Sequence, residues 1–199
     1  MTGARRIRRA IIVHGYLGNS GKHWFGSLTS ELTQAGIAAR AVDLPDPTQP
    51  RLDDWIEHLD GQIGQPDPEL LLIAHSLGCV TTTAYLRQLT SPFALGGLVT
   101  VAPFYEKLPT LPELDGFISA IDEPPDGLRE ISSKILQRIV IRSDDDPYVP
   151  VAHSNRYAQC LDAAVIVDPN AEHFFEAAYP SISTATRTVL RTSPIARSD

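Results

Sequence analysis

The sequence predicts one α/β domain built around a six-stranded, mainly parallel sheet. Six short apolar runs recur along the chain, at residues 10–14, 37–42, 70–74, 98–102, 138–142 and 163–167. Each run is nearly continuous in aliphatic side chains, which is typical of strands buried on both faces of a parallel sheet. Helical stretches separate the runs, and this alternation predicts helices on both faces of the sheet.

Helical spacing is clearest in the first two connections. Apolar residues fall three or four positions apart at 24, 28, 32 and 35, and again at 52, 56 and 59. The longest connection, residues 103–137, holds shorter helical pieces and leaves the carboxyl end of a strand, where parallel α/β sheets bind ligands. We therefore expect it to wall a substrate pocket, with four apolar candidates: Phe104, Tyr105, Leu108 and Leu111.

Composition agrees with a single domain and excludes several classes of protein. The chain has 199 residues, 43% of them hydrophobic, and a formal net charge of −7. We place the domain at residues 10–192, between a basic flank at 1–9 and a tail at 193–199, both expected to be flexible. The acidic balance argues against a nucleic-acid partner. No apolar stretch is long enough for a membrane span or a signal peptide, so no membrane partner is expected.

The two cysteines, Cys79 and Cys160, form neither a disulfide framework nor a metal-ligand pattern. Isolated cysteines of this kind are typical of buried thiols in a reducing compartment. We therefore expect a cytoplasmic protein. No cluster of histidine, cysteine and aspartate has the spacing of metal ligands, and neither a metal nor an organic cofactor is expected.

The third apolar run leads directly into a nucleophile motif. Ala74-His75-Ser76-Leu77-Gly78 matches G-x-S-x-G with alanine in place of the first glycine. In this motif a sharp strand-to-helix turn exposes the serine hydroxyl, and the small flanking residues let the helix start close to the strand. The free N–H of Leu77 at the helix start lies where negative charge develops in acyl transfer. Ser76 is the predicted nucleophile, and His75 is a candidate pocket residue.

A serine nucleophile requires an acid and a histidine, which follow it in that order in this arrangement. Three consecutive aspartates, Asp144, Asp145 and Asp146, come directly after the fifth apolar run. The turn that follows, leading into Val-Pro, favours Asp146 as the residue that points inward. Asp145 is the alternative acid, and Asp144 is expected to face solvent.

His173 is the predicted base because it follows the sixth run, where a loop can place its ring between Ser76 and Asp146. We expect it at the start of the last helix. His153 also follows the aspartates, but it is expected on the surface of a helix. His14, at the end of the first strand, is expected to hydrogen-bond within the loop that supplies the second oxyanion donor, the backbone N–H of Tyr16.

These motifs together resemble those of the small YdeN-like serine hydrolases of the α/β-hydrolase superfamily, the family of the retinoblastoma-binding serine hydrolase. The matching strings are IIVHGYLGNSGKHWF, LPDPTQPRLDDW, AHSLGC, ALGGLVTVAPFYEKLPTLPELDGF, SDDDPYVP and EHFF, spread over residues 10 to 190. The resemblance implies a reduced α/β-hydrolase fold without a large cap domain. It also implies a triad of Ser76, Asp146 and His173.

The chain departs from the family pattern at Glu172, where a glycine more commonly precedes the histidine. The L-x-C-x-E motif that engages retinoblastoma-type pockets is absent, so a retinoblastoma-type partner is not supported. The expected function is a serine hydrolase that cleaves a small-molecule acyl substrate, an ester or else a thioester or amide, through an acyl-enzyme. The alternative is a non-catalytic or weakly catalytic protein-binding member of the same scaffold.

Overall fold

The computed structural model describes residues 6–121 and 127–192. The strands are β1 (Arg9–Val13), β2 (Ala38–Val42), β3 (Leu70–His75), β4 (Gly97–Val101), β5 (Arg138–Arg142) and β6 (Ala164–Val167). The helices are α1 (Phe25–Gln34), α2 (Leu52–Ile63), α3 (Leu77–Gln88), α4 (Asp115–Ser119), α5 (Leu128–Ser132), α6 (Val151–Leu161) and α7 (Pro180–Thr192), with a 3₁₀ turn at Pro112–Leu114. The six strands and the helices between them confirm the predicted α/β class.

All six strands pair in parallel, in the order β2-β1-β3-β4-β5-β6. The strand order reverses around β1, and such a switch point opens a crevice at the carboxyl ends of the strands. Val13 at the end of β1 pairs with Ala74 near the end of β3. The loop after β1 and the turn after β3 therefore leave the sheet side by side.

The central strand β3 shows why its sequence is uniformly apolar. Leu70, Leu72 and Ala74 face a core formed with α2 and α3. Leu71 and Ile73 face the opposite core, formed with α1 and α7. Helices cover both faces, so no position of the strand reaches water, as the continuous apolar run predicted.

The first strand begins one residue before position 10, the predicted start of the domain. Ile7 is buried and β1 begins at Arg9, whose guanidinium pairs with Asp67 at 2.9 Å. The ordered domain thus starts before residue 10. Residues 1–5 of the predicted flank and the predicted tail at 193–199 lie outside the described residues.

Both cysteines are buried, as predicted, and burial raises the pKa of the Cys79 thiol well above its usual range. Across residues 6–121 and 127–192, no helix combines the length and apolar character needed to cross a bilayer.

Candidate active site

Ser76 occupies a strained turn between β3 and α3. Its φ is 51° and its ψ is −123°, a conformation that non-glycine residues adopt only when the surrounding structure enforces it. The small neighbours are sterically required. A Cβ on Gly78 would overlap the backbone oxygen of His14, and a Cβ on Gly15 would come within 2.8 Å of the Ser76 Cβ. The loop after β1 therefore lies directly against the serine.

A chain of hydrogen bonds runs from Ser76 into the protein. The Ser76 Oγ donates to His173 Nε2 at 2.9 Å, and His173 Nδ1–H donates to Asp146 Oδ2 at 2.7 Å. The side chains of His173 and Asp146 are only 5% and 4% exposed. The other oxygen, Oδ1, accepts from the backbone N–H groups of Tyr148 and Val149, at 2.9 and 3.0 Å. Those two bonds fix which carboxylate oxygen faces the imidazole.

Asp145, the alternative acid, is turned away from the imidazole and holds the backbone beside it. Its Oδ1 accepts from the Ser143 hydroxyl at 2.5 Å and from the Glu172 N–H at 2.9 Å. Ser143 and then Glu172 lower the pKa of this carboxyl. Ser143 Oγ in turn accepts from the Ala171 N–H at 3.1 Å. Asp145 therefore clamps the loop that carries the histidine, and Asp146 is the carboxylate that meets the ring.

The loop that carries His173 is strained at every second residue. The φ values of Asn170, Glu172 and Phe174 are 57°, 47° and 62°. Asparagine tolerates this left-handed region, but glutamate and phenylalanine do not adopt it readily. Glycine would have no steric penalty at position 172, so the strain there comes from the glutamate side chain. Asp144, exposed as predicted, also accepts from the Asn170 N–H at 3.0 Å, so all three aspartates help to hold this conformation.

Two backbone donors lie close to the serine, because Leu77 follows it directly and Tyr16 lines the same cavity. Within the described part of the chain, the N–H groups of Leu77 and Tyr16 donate to no protein acceptor. His14 braces the Tyr16 loop, as predicted. Its Nδ1–H donates to the oxygen of Gly15 at 2.8 Å and its Nε2 accepts from the N–H of Leu44 at 2.9 Å. Both bonds require a neutral ring, and burial lowers the pKa of His14 accordingly.

His75 contacts the histidine loop from behind. Its side chain is buried, and its Nε2–H donates to the backbone oxygen of His173 at 2.9 Å. The two rings lie 5.0 Å apart. Burial holds the pKa of His75 well below its usual value, so the ring is neutral. His75 borders the cavity in front of Ser76, yet its polar atom is used to position His173.

The neutral state of His75 makes the fold sensitive to acid. Unfolding restores its pKa to about 6.5, so below that pH the unfolded chain binds a proton that the folded chain does not. As the pH decreases below 6.5, the free energy of unfolding therefore decreases too, and this residue contributes about 1.4 kcal/mol of that decrease per pH unit. We expect His75→Gln, which keeps an N–H donor, to flatten the slope by that amount below pH 6.5 in urea denaturation.

Above pH 8 the unfolding curves of the wild type and of His75→Gln should run parallel, because the ring is then neutral in both states. An unchanged slope between pH 6.5 and 5 in the variant would contradict the assignment of His75 as a buried neutral base.

A cavity of about 230 Å³ opens in front of Ser76 and His173; we name it the nucleophile cavity. Its apolar wall is formed by Leu17, Leu111, Tyr148 and Phe175, and its charged residues are Lys22 and Glu113. Leu17 and Phe175 are 49% and 47% exposed, so the cavity is open at its mouth. Loops at the carboxyl ends of the strands supply this lining, as expected for a parallel sheet.

The predicted pocket wall is only partly correct. Leu111 lines the nucleophile cavity, but Phe104, Tyr105 and Leu108 do not. These three side chains are 0%, 5% and 2% exposed and belong to the core formed with α2 and α3. The Tyr105 hydroxyl accepts from the Arg87 guanidinium at 2.8 Å, away from Ser76. The first apolar residues after β4 are buried in this core, so only the later part of the connection lines the cavity.

Of the two histidines that follow the aspartates, only His173 lines the cavity, as predicted, but the positions of His173 and His23 differ from the prediction. His153 lies on α6 with its Nδ1 3.9 Å from Glu106, outside the cavity. His173 stands in a loop well before α7 begins at Pro180, not at the start of the helix. His23 lines the cavity and stacks on Phe175 at 4.8 Å, which helical spacing did not reveal. Among the described residues, no group of three or more His, Cys, Asp or Glu could hold a metal ion.

The sequence is similar to a protein-family model and to known proteins. The family model described as serine hydrolase matches residues 10–184. The putative hydrolase YdeN of Bacillus subtilis (strain 168) is 36% identical over 169 residues, which cover 85% of this chain and 87% of that protein. The serine hydrolase RBBP9 of Rattus norvegicus is 24% identical over 92% of this chain and 95% of its own.

The fold comparison agrees with the sequence comparison. The crystal structure of the ydeN gene product from B. subtilis superimposes with a TM-score of 0.86 at 33% identity. The match covers 93% of this chain and 100% of that one. Est1E from Butyrivibrio proteoclasticus matches with a TM-score of 0.67 at 15% identity, over 94% of this chain and 86% of that one, which shows a shared fold.

Proposed function

The chain belongs to the serine hydrolase family, and from the geometry at Ser76 we propose that it hydrolyses small carboxylic esters through a Ser76–His173–Asp146 triad. The observation that carries this proposal is the unbroken chain of hydrogen bonds, 2.9 and 2.7 Å long, from the Ser76 hydroxyl to the buried Asp146 carboxylate. It ends at an open cavity beside two free backbone donors, which is the arrangement that acyl transfer requires.

In the first step, His173 Nε2 takes the proton of the Ser76 hydroxyl as the oxygen attacks the ester carbonyl. The carbonyl oxygen becomes an oxyanion, which the N–H groups of Leu77 and Tyr16 stabilise. Asp146 holds the Nδ1–H tautomer and stabilises the positive imidazolium. His173 then gives its proton to the leaving alkoxide, which departs as an alcohol and leaves an acyl group on Ser76.

In the second step, His173 removes a proton from water, which attacks the acyl group and forms a second oxyanion. Collapse of this intermediate releases the carboxylic acid and restores the Ser76 hydroxyl. Thioesters and small amides follow the same sequence with a thiol or an amine as leaving group. The shallow mouth formed by Leu17 and Phe175 suits small acyl compounds.

A fluorophosphonate probe, which reacts with activated serines, tests the proposal. We expect stoichiometric labelling of the wild type, found on Ser76 by peptide mass spectrometry, together with hydrolysis of p-nitrophenyl acetate. Ser76→Ala should lose both, because no other serine is hydrogen-bonded to His173 within the described residues. Ser30→Ala, an exposed serine on α1, is the matched control and should label normally.

Labelling that persists in Ser76→Ala would show that the nucleophile is another residue. A wild type that neither reacts with the probe nor hydrolyses p-nitrophenyl acetate would overturn the enzymatic proposal and leave the non-catalytic binding protein as the function to test.

A further inference from the structure

A second cavity, of about 440 Å³, adjoins the nucleophile cavity. Tyr16 and Glu113 line both cavities, so a ligand bound at Ser76 that extends past these two residues reaches the second cavity. The boundary is braced, because the N–H of Leu17 donates to the oxygen of Pro47 at 2.9 Å. This bond ties the loop after β1 to the loop that precedes α2. The two cavities thus lie side by side, with Ser76 in the smaller one.

The second cavity combines an apolar floor with uncharged polar side chains on one side of its rim. Leu52 and Phe117 line it and are only 3% and 5% exposed. Thr48 and Gln49 line it from the exposed loop before α2. A surface of this kind fits a ligand that has C–H groups on one side and hydrogen-bonding groups on the other. Hydroxyl groups suit Thr48 and Gln49 because all three both donate and accept.

The charges around the second cavity disfavour an anionic ligand. Asp53 and Glu113 contribute two carboxylates, and Arg51 contributes one guanidinium. Arg51 already pairs with Asp54 at 3.4 Å. The described lining therefore has two carboxylates against one guanidinium that is already paired, and this negative charge would repel phosphate or carboxylate groups. A neutral ligand can use the carboxylates as acceptors for its own hydroxyl groups.

The position of His173 decides which part of a substrate enters the second cavity. The alcohol part must leave from an oxygen within reach of His173 Nε2, beside the rings of Tyr148 and Phe175, which both lie 5.1 Å from the imidazole. Those two rings line the nucleophile cavity and, in the part of the chain described, not the second one. The acid part, attached to the same carbonyl carbon, therefore extends toward Tyr16.

We propose that the second cavity is the subsite for the acid part of the substrate and binds a neutral, hydroxyl-bearing acyl group. The proposal rests on the ester hydrolysis proposed above. The reaction consumes one water, which supplies a hydroxyl to the acyl carbon and a proton to the leaving alcohol. The substrate class is therefore esters of polyhydroxylated acids with small alcohols.

A matched pair of methyl esters tests this specificity. Methyl quinate carries hydroxyl groups on a six-membered ring, and methyl cyclohexanecarboxylate has the same ring without them. We expect kcat/KM of the wild type to favour methyl quinate by about tenfold or more, since polar groups of the site lose partners with the bare ring. Equal values for the two esters would overturn the hydroxyl preference.

Two substitutions test the location. A Cβ on Gly116, which lines the second cavity, would meet no atom within 4 Å, so this position accepts a side chain and Gly116→Phe is expected to reduce the space in the cavity. It should lower kcat/KM for methyl quinate by about tenfold or more and change that for p-nitrophenyl acetate by less than about twofold. Gln49→Leu keeps the volume but removes a donor and an acceptor, and should reduce the preference for methyl quinate.

Gly61→Phe is the control, because Gly61 lies on α2 with equally open surroundings and outside the second cavity. This variant should have the same kcat/KM as the wild type for methyl quinate, methyl cyclohexanecarboxylate and p-nitrophenyl acetate. A Gly116→Phe enzyme with normal methyl quinate turnover, or one that loses p-nitrophenyl acetate turnover equally, would overturn the subsite while the proposed function stands.

Binding to Ser76→Ala gives a readout that does not depend on turnover. Methyl quinate should raise the melting temperature of Ser76→Ala but not that of the Ser76→Ala, Gly116→Phe double variant. No shift in either protein would count against the subsite, whereas failure of the wild type to react with the fluorophosphonate probe would bring down both proposals.

Discussion

Replacing His173 with alanine is expected to lower kcat for p-nitrophenyl acetate by about 10⁶-fold, the loss typical when the base of a Ser-His-Asp triad is removed. In the structure this imidazole is the partner of the Ser76 hydroxyl, at 2.9 Å, and its Nδ1–H donates to Asp146 at 2.7 Å. Without it, none of the described residues that line the cavity is hydrogen-bonded to the serine hydroxyl to take its proton and return it to the leaving oxygen.

The His173→Ala protein should still fold, because the backbone of position 173 stays anchored. His75 donates to its carbonyl oxygen, and Asp145 accepts from the preceding N–H of Glu172. A melting temperature close to that of the wild type would show that the loss lies in the chemistry.

His153→Ala is the matched control. It removes the other histidine that follows the aspartates, a ring on α6 that pairs loosely with Glu106 at 3.9 Å. Its kcat should stay within about twofold of the wild type, as for a substitution that leaves the triad intact. Retention of activity in His173→Ala, or its loss in His153→Ala, would contradict the assignment of the base.

The residues that form the hydrogen-bonded chain could be predicted because each has a local signal. Ser76 lies between a continuous apolar run and a helix, with Gly78 where only a glycine fits against His14. Asp146 precedes a tight turn and accepts hydrogen bonds from two N–H groups of that turn. This explains why the turn sequence favoured Asp146 over Asp145. His173 follows the last strand, so topology alone brings it to the carboxyl edge of the sheet.

The cavity wall could not be predicted in the same way, because loop residues carry no periodic pattern. Phe104 and Leu111 are both apolar residues of one connection, yet Phe104 packs into the core and Leu111 faces the cavity. The difference depends on where the chain turns between them. Leu17 and Phe175 are apolar residues left half-exposed at the mouth, and their exposure is set by tertiary packing that the sequence does not encode locally.

The run Ser143 to Asp146 shows a further limit of pattern reading. Consecutive aspartates suggest a solvated loop, but here each carboxylate accepts from the loop that carries His173 or from the imidazole itself. The loop needs these hydrogen bonds because residues 170, 172 and 174 have left-handed backbone, which persists only where the surroundings enforce it. The sequence does not reveal these backbone dihedral angles, so it could not predict that the aspartates hold the loop.

Asp146→Asn should lower kcat for p-nitrophenyl acetate by about 10⁴-fold, although it changes neither the size nor the shape of the side chain. The reason lies in the two N–H groups of Tyr148 and Val149, which both donate to Oδ1. In the variant the amide oxygen must stay there to accept them, so the amide NH₂ faces His173. His173 Nδ1 then becomes an acceptor and Nε2 carries the proton, and the ring can no longer accept the proton of Ser76.

Asp145→Asn is the matched control, because the neighbouring aspartate bonds to Ser143 and Glu172 instead of to the imidazole. It should lower the melting temperature through a weaker loop clamp while keeping kcat within about tenfold of the wild type, since the triad itself is untouched. Nitrogen NMR of the imidazole distinguishes the mechanisms, with the proton expected on Nδ1 in Asp145→Asn and on Nε2 in Asp146→Asn. If Asp145→Asn instead showed the larger loss of kcat and the moved proton, Asp145 would be the acid in solution.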